Sequence, residues 1–115
     1  MRFSGSLKEN YMFRRLYNKG ASAADSYLVL YSRKNRSQRN RIGFTTGKKL
    51  GHAVVRNRVR RRLREAYRLH EAEFVPGTEL VIVARTRAAA ASYAELEHSL
   101  LSAARKLGVL RETGV

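Results

Sequence analysis

The chain contains no cysteine and no tryptophan, and only one proline and one aspartate. Without cysteine, disulfides and cysteine-ligated zinc sites are excluded. No apolar run approaches the ~18 residues of a membrane-spanning helix. The opening residues, MRFSGSLKEN, lack the apolar segment of a secretory signal. A cytoplasmic location is therefore expected. Acidic residues are also scarce. Nine Asp plus Glu stand against 24 Lys plus Arg, giving a net charge of +15 and a pI near 11.2. A small body with that surplus repels itself, and a polyanion relieves the repulsion. Nucleic acid is the first candidate, an anionic membrane surface the second.

The shortage of carboxylates bears on chemistry as well. Two-metal nuclease sites need several carboxylates converging on a pair of cations, and this chain has only Asp25 and eight scattered glutamates. The three histidines, His52, His70 and His98, fall in separate elements without ligand spacing. No Ser or Lys lies in a nucleophile motif. No catalytic residue and no metal site are expected in the protein itself.

What is present is a globular composition, 43% hydrophobic over 115 residues, which suits one domain spanning 1–115. SLKE at 6–9 reads as a capping box opening a helix from about Leu7 to Lys19, with Gly20 as its left-handed cap. Ala21–Ala24 is a candidate short edge strand. SYLVLYSR at 26–33 alternates, with Tyr27, Val29 and Tyr31 on one face and Leu28 and Leu30 on the other. RIGFTT at 41–46 reads as the next strand, antiparallel to the first by hairpin logic. TELVIVAR at 78–85 reads as a buried central strand. SYAE at 92–95 caps a last helix whose stripe is Tyr93, Leu96, Leu100, Ala103 and Leu107, ended by Gly108. The order is α-β-β-β-α-β-α, an α/β (α+β) sandwich with helices packed on a central sheet.

Between the strand at 41–46 and the breaker VPG at 75–77 lies GHAVVRNRVRRRLREAYR, residues 51–68, with six arginines from Arg56 to Arg64. At 100° per residue Val55, Val59, Leu63, Ala66 and Tyr67 share one arc. Asn57, Arg58, Arg60, Arg61, Arg62, Arg64 and Arg68 fill the rest. A disordered basic tail has no reason to keep an apolar stripe, so this is a docked amphipathic helix. A merely solvated face usually mixes signs, yet only Glu65 lies among these arginines. Like charges crowded on one face point to polyanion binding. Lys48 and Lys49 extend the patch. The bias to Arg, 18 against six Lys, suits forked phosphate contacts, although the codons of a GC-rich genome produce the same bias.

A second group is aromatic. Phe13 and Tyr17, four apart on the first helix, and Tyr27 and Tyr31 on one sheet face can line a groove, with Arg14, Arg15 and Arg33 nearby. Bases stacking on rings while phosphates meet cations is how single-stranded RNA is held. The plainer reading is that these rings fill the helix–sheet core, and on residue pattern alone core packing is favoured.

KKLGHAVVRNRVRRRLREAYR, from Lys48, closely resembles the signature of the bacterial ribonuclease P protein component: a lysine-rich lead, Gly-x-Ala-Val, Arg-Asn-Arg, then basic residues and Arg-Glu. LKENYMFRRLYNKG resembles that family's first helix, and YLVLYSR, RIGFTT and LVIVAR its strands, so the likeness covers most of the chain. The resemblance implies a left-handed β-α-β crossover around the basic helix, against the usual right-handed rule. It implies a partner, a large catalytic RNA that removes the 5′ leader of precursor tRNA, with Mg²⁺ held mainly by that RNA. By family position Arg56, Asn57, Arg58, Arg60, Arg61 and Arg64 meet the catalytic RNA. Phe13, Tyr17, Val29 and Tyr31 line the cleft for the single-stranded leader, which reverses the core-packing preference for the rings. Arg14 and Arg33 join the cleft as its nearby cations; Lys48, Lys49, Arg62 and Arg68 join the RNA-binding face. The chain departs from the family pattern at Gly47 and His52, and its N-terminal extension carries only Arg2 as a cation.

Three other classes compete. A structural RNA-binding protein or RNA chaperone of ribosomal type shares the composition but not the Arg-Asn-Arg motif with an aromatic cleft. A DNA-binding regulator would place a helix-turn-helix before the basic helix, where strands stand instead. A membrane-surface helix needs a large exposed apolar face.

Overall fold

The computed structural model describes residues 4–7 and 10–111. Along the chain run β1 (Ser4–Ser6), α1 (Asn10–Lys19), β2 (Ala21–Ala24), β3 (Leu28–Lys34), β4 (Asn40–Thr45), α2 (Ala53–His70), β5 (Thr78–Ala84) and α3 (Tyr93–Leu107). Short 3₁₀ turns occupy 48–50, 71–73 and 86–90. The expected α-β-β-β-α-β-α order is present, preceded by one strand that the sequence did not announce. Ser4-Gly5-Ser6 has no apolar alternation; it forms β1 by pairing in parallel with β4, Ser4 opposite Asn40 and Ser6 opposite Ile42. The Ser4 and Tyr67 hydroxyls, 2.7 Å apart, tie this strand to α2.

That strand corrects the expected helix start. Ser6 belongs to β1, and the Leu7 N–H donates to the Ile42 carbonyl at 3.0 Å. Strand pairing has taken Ser6, one half of the expected capping box, and the helix is described from Asn10; at its other end Gly20 pairs its N–H with the Leu16 carbonyl and does not take the expected left-handed conformation. Glu9, the other half of that box, and Arg2 lie outside the described residues.

The sheet order is β1-β4-β5-β3-β2. This corrects the hairpin: β3 and β4 are not neighbours. β5 stands between them, antiparallel to β3 and parallel to β4. The reason is burial. Thr78 through Ile82 of β5 are all buried, and such a run is best satisfied at the centre of a sheet covered on both faces. β4, α2 and β5 thus form a parallel β-α-β unit with α2 as the crossover.

Each face of the sheet has its own apolar layer. On one, Leu28, Leu30, Ile42, Leu80 and Ile82 pack with Val59, Leu63 and Tyr67 of α2 and Leu96 and Leu100 of α3, all essentially solvent-free. Each such side chain contributes roughly 1.5–3 kcal/mol through burial. On the other face Leu7 and Leu16 meet Val81, with Met12, Phe13, Tyr31 and Val83 partly buried around them. α1 lies across this face. Phe13 sits over Gly43 of β4, Arg15 reaches Glu79 of β5, and Tyr17 meets Tyr31 of β3.

Tyr27 departs from the expected alternation. It precedes β3, packs with the α2–α3 layer and donates its hydroxyl to Glu95 at 2.6 Å. Asp25 sets this corner. Its carboxylate accepts the Tyr27 and Leu28 amides at 2.8 and 3.0 Å and the Ser99 hydroxyl. Burial pushes its pKa up, but these hydrogen bonds outweigh burial and hold it below the ordinary value. The one aspartate is therefore a turn former. α3 starts and stops as its sequence indicates: Ser92 and Glu95 form both halves of the capping box, and Gly108 closes the helix at φ 70°.

Candidate nucleic-acid interface

α2 docks by Val59, Leu63, Ala66 and Tyr67, which are buried, and Val55, which is half-buried. The arginines take the remaining surface, as the wheel requires. They do not form one uniform row. Arg58 and Arg62 lean to one side and donate to the carbonyls of Ala89 and Ala91, at 3.2 and 2.7 Å. Both are half-buried and hold the 86–90 turn against the helix. Arg60 leans the other way and donates to the Thr46 hydroxyl at 2.8 Å, while the Arg64 guanidinium lies 5.9 Å from the centre of the Phe44 ring. Asn57 and Arg61 stand exposed on the crest. Arg56, in the first turn, is half-buried with its Nε unpartnered, as is the Nε of Arg58. Lys48 and Lys49 are exposed just before the helix.

Charge pairing barely dilutes this surface. Glu65 is taken by Arg68 through two hydrogen bonds of 3.0 and 2.5 Å. Hydrogen bonding to Arg68 outweighs desolvation and lowers the Glu65 pKa. Among the described residues no carboxylate pairs with Arg56, Arg58, Arg60, Arg61, Arg62 or Arg64. Six guanidinium groups on one helix thus stand without a carboxylate partner among the described residues, and hydrogen bonds orient those of Arg58, Arg60 and Arg62.

The aromatic group lies along the seam between α1 and the sheet, where the cleft is expected. Tyr17 and Tyr31 meet edge-to-face with ring centres 4.9 Å apart, and Phe13 lies 6.5 Å from Tyr17. The floor consists of two registered rows, Val29–Val83–Thr45 and Tyr31–Val81–Gly43. Core packing accounts for part of the group and leaves part of it open to solvent. Phe13 and Tyr31 are half-buried against Leu16 and Val81, yet Tyr17 is 40% exposed and Val29 is only half-covered. Rings anchored on one edge and open on the other are suited to stacking.

Thr45, Gly43 and Val83 belong to this cleft and were missed in the sequence. The two threonines after Phe44 are small and polar, with no pattern to distinguish them. Gly43 matters because a Cβ there would lie 2.8 Å from the Phe13 ring. Of the cations assigned to the cleft, neither stands within it. Arg14 is exposed on the outer side of α1, opposite Leu16. Arg33 shares Tyr31's sheet face, but lies on the other flank of α1 with Arg15, Arg41 and Glu79.

The two surfaces meet at one point on the chain. The Thr45 hydroxyl is 3.5 Å from the Tyr17 hydroxyl, in the cleft. The next residue, Thr46, accepts Arg60 from the helix. Strand alternation sends the two side chains to opposite faces, so the end of β4 joins the aromatic cleft to the arginine helix.

The histidines remain apart. His52 and His98 are exposed. His70 bonds Glu73 through Nδ1 at 2.5 Å and Glu97 through Nε2 at 3.0 Å. Burial pushes its pKa down, but the two carboxylates outweigh this and raise it. Glu73 and Glu97 sit on opposite ring nitrogens and so face no common point. Among the described residues no three His, Cys, Asp or Glu side chains are placed to hold a metal ion. No described helix is long and apolar enough to cross a membrane.

Comparison with known proteins gives a consistent result. The family model described as Ribonuclease P matches residues 1–108. The Ribonuclease P protein component of Alkaliphilus metalliredigens is 40% identical over 110 residues, covering 96% of this chain and 99% of that one. Its counterpart from Natranaerobius thermophilus is 40% identical over 107 residues, covering 93% of each. The RNase P protein of Staphylococcus aureus superposes with a TM-score of 0.86 at 29% identity, covering 94% of this chain and 99% of that one.

Proposed function

Because the chain belongs to the ribonuclease P protein family, and so to the protein side of an endoribonuclease built with RNA, we propose a division of labour between its two surfaces. The arginine helix binds the catalytic RNA, and the aromatic cleft holds the 5′ leader of precursor tRNA. The observation that carries this reading is the junction at Thr45–Thr46, where cleft and helix adjoin. A strand leaving a cleavage site on RNA bound at α2 would pass directly onto Tyr17 and Tyr31.

In this reading the protein supplies binding and electrostatics, and no side chain touches the reacting phosphate. Clustered guanidiniums lower the repulsion between leader, tRNA and catalytic RNA phosphates. Mg²⁺, needed for hydrolysis of the phosphodiester, is placed mainly on the partner RNA. By forming charge-assisted bonds near the cleavage core, the protein lowers the Mg²⁺ concentration at which that RNA works. The leader adds an affinity that mature tRNA lacks, so product leaves more readily than substrate. The setting for this work is the cytoplasm.

Reconstitution tests the proposal. Added to a bacterial ribonuclease P RNA at low Mg²⁺, the protein should stimulate 5′ cleavage of precursor tRNA. Tyr31→Ala should then reduce the preference for precursor over mature tRNA, since one stacked base is worth about 1–3 kcal/mol. An unaltered preference, in a variant that still folds and assembles, would remove the cleft from the leader's path.

A further inference from the structure

The sheet face under α1 continues beyond the aromatic cleft, on the opposite flank of the helix. A cavity of about 460 Å³ opens there, lined by Arg15, Arg33, Lys34, Arg36, Arg41 and Glu79. Its five cations come from three places: Arg15 from α1, Arg33, Lys34 and Arg41 from the strands, and Arg36 from the β3–β4 connection. The single carboxylate is Glu79, which lies between Arg33 and Arg41 in sheet register. It is almost buried, its side chain 6% exposed, with Arg15 Nη2 at 3.6 Å.

Glu79 can neutralise one of these cations and leaves the others in excess. Arg15, half-buried, lines the cavity from α1 with its guanidinium turned to the sheet, Nη2 being its contact with Glu79. The wall carrying Arg36 is held in shape. Asn35 donates its amide to the Gly77 carbonyl at 2.8 Å, accepts the Ser37 amide at 2.9 Å and donates its side chain to the Arg39 carbonyl at 3.2 Å. Gly77, at φ 77°, allows the close approach, because a Cβ there would lie 2.7 Å from the Ser37 carbonyl oxygen. The backbone that carries these cations is thus preformed, so an entering anion has only side chains to order.

We propose that this cavity is a second phosphate site, taking a phosphate of an RNA strand on the flank of α1 away from the aromatic cleft. It rests on the chain's partner being RNA, but not on the cleft holding the leader. Phe13 and Tyr17 leave α1 on one flank and Arg15 on the other, so the two sites do not share side chains. Two strands could supply the phosphate: a long leader that has crossed α1, or the catalytic RNA itself.

The test is the double variant Arg36→Ala/Arg41→Ala, both side chains being exposed. Arg36→Ala alone, in the loop, covers the case in which the strand change disturbs folding, with thermal melts as the control. Two affinities are measured against salt: the reconstituted enzyme for precursors with a short or a long leader, and the protein for the catalytic RNA. Removing one cation–phosphate pairing flattens the log–log slope by ~0.7–0.9, so a fourfold rise in salt separates wild type from variant by roughly threefold. A flatter slope confined to long leaders supports the site and assigns the phosphate to the leader. A flatter slope for assembly supports it and assigns the phosphate to the catalytic RNA. Unchanged slopes in both arms overturn the inference. Tyr31→Ala, run in parallel, keeps the two readings separable, because its precursor preference reports only on the cleft.

Discussion

Gly43 is the position where one methyl group tests the geometry of the cleft. It lies on the sheet face beneath α1, and a Cβ there would stand 2.8 Å from Cε1 and Cζ of Phe13 and 3.3 Å from Cβ of Leu7. Two effects oppose each other in Gly43→Ala. Alanine in a strand is favoured over glycine by about 0.5–1 kcal/mol, through the entropy of the unfolded chain. Overpacking costs about 1–3 kcal/mol. Phe13 is only half-buried, so its ring can swing outward, which places the cost low in that range. The expected net loss is about 1 kcal/mol, or about 4–5 °C in Tm for a chain of this length. In a Phe13→Leu background the clashing ring atoms are gone and only the 3.3 Å approach to Leu7 remains, so the same Gly43→Ala change should stabilise by at most about 0.5–1 kcal/mol. Urea unfolding of the four proteins measures this difference as a coupling of about 1–2 kcal/mol. Gly43→Ala should also weaken the preference for precursor tRNA, because the displaced ring belongs to the cleft. Equal effects of Gly43→Ala in both backgrounds would refute the proposed contact between Phe13 and the strand.

Three further outcomes follow from other parts of the molecule. Arg61→Ala, on the crest of α2, should flatten the log–log salt dependence of binding to the catalytic RNA by ~0.7–0.9 without changing the melting temperature; filter binding across salt checks it. Gly20→Ala should be costlier than Gly43→Ala, near the upper end of about 1–3 kcal/mol, since its Cβ would lie 2.6 Å from the Leu16 carbonyl oxygen and 2.8 Å from that of Ser32, both backbone atoms. Calorimetry of the two alanine variants ranks them. His70 has a raised pKa in the folded protein, so its protonated form stabilises. That contribution is complete below the unfolded value of about 6.5 and is lost as pH rises through the folded value. The melting-temperature gap between wild type and His70→Asn should be wide at about pH 5.5 and narrow by about pH 8; a constant gap would contradict it.

Much of the fold was legible because local rules and tertiary packing agree. The alternation of Leu28 and Leu30 with Val29 and Tyr31, the stripe of α3 between Ser92 and Gly108, and the apolar arc of α2 all describe which side of an element must leave water. The arginine surface followed from the same arc: once Val59, Leu63, Ala66 and Tyr67 are buried, the arginines have only the outside. The failures lie where a partner distant in sequence decides. Ser6 satisfies a helix cap and a strand equally well, and only β4 beside it selects the strand. The short polar connection between β3 and β4 fits a hairpin, but the fully buried β5 claims the central place. Tyr27 precedes the strand and turns toward α3, because Asp25 folds the chain back at that corner.

The sequence by itself determined the chemistry available: an excess of guanidinium groups, a set of rings, and a scarcity of carboxylates. Periodicity then settled which residues share a face, because side-chain direction is a local property of helix and strand. Only the tertiary structure decided which faces adjoin. It set α1 across the sheet, so that Tyr31 and Arg33 stand on one face but on different flanks of the helix. It also brought Tyr17 and Arg60 to adjacent residues, Thr45 and Thr46. Those juxtapositions depend on how burial of separate apolar surfaces is shared among distant segments, and no local pattern encodes that.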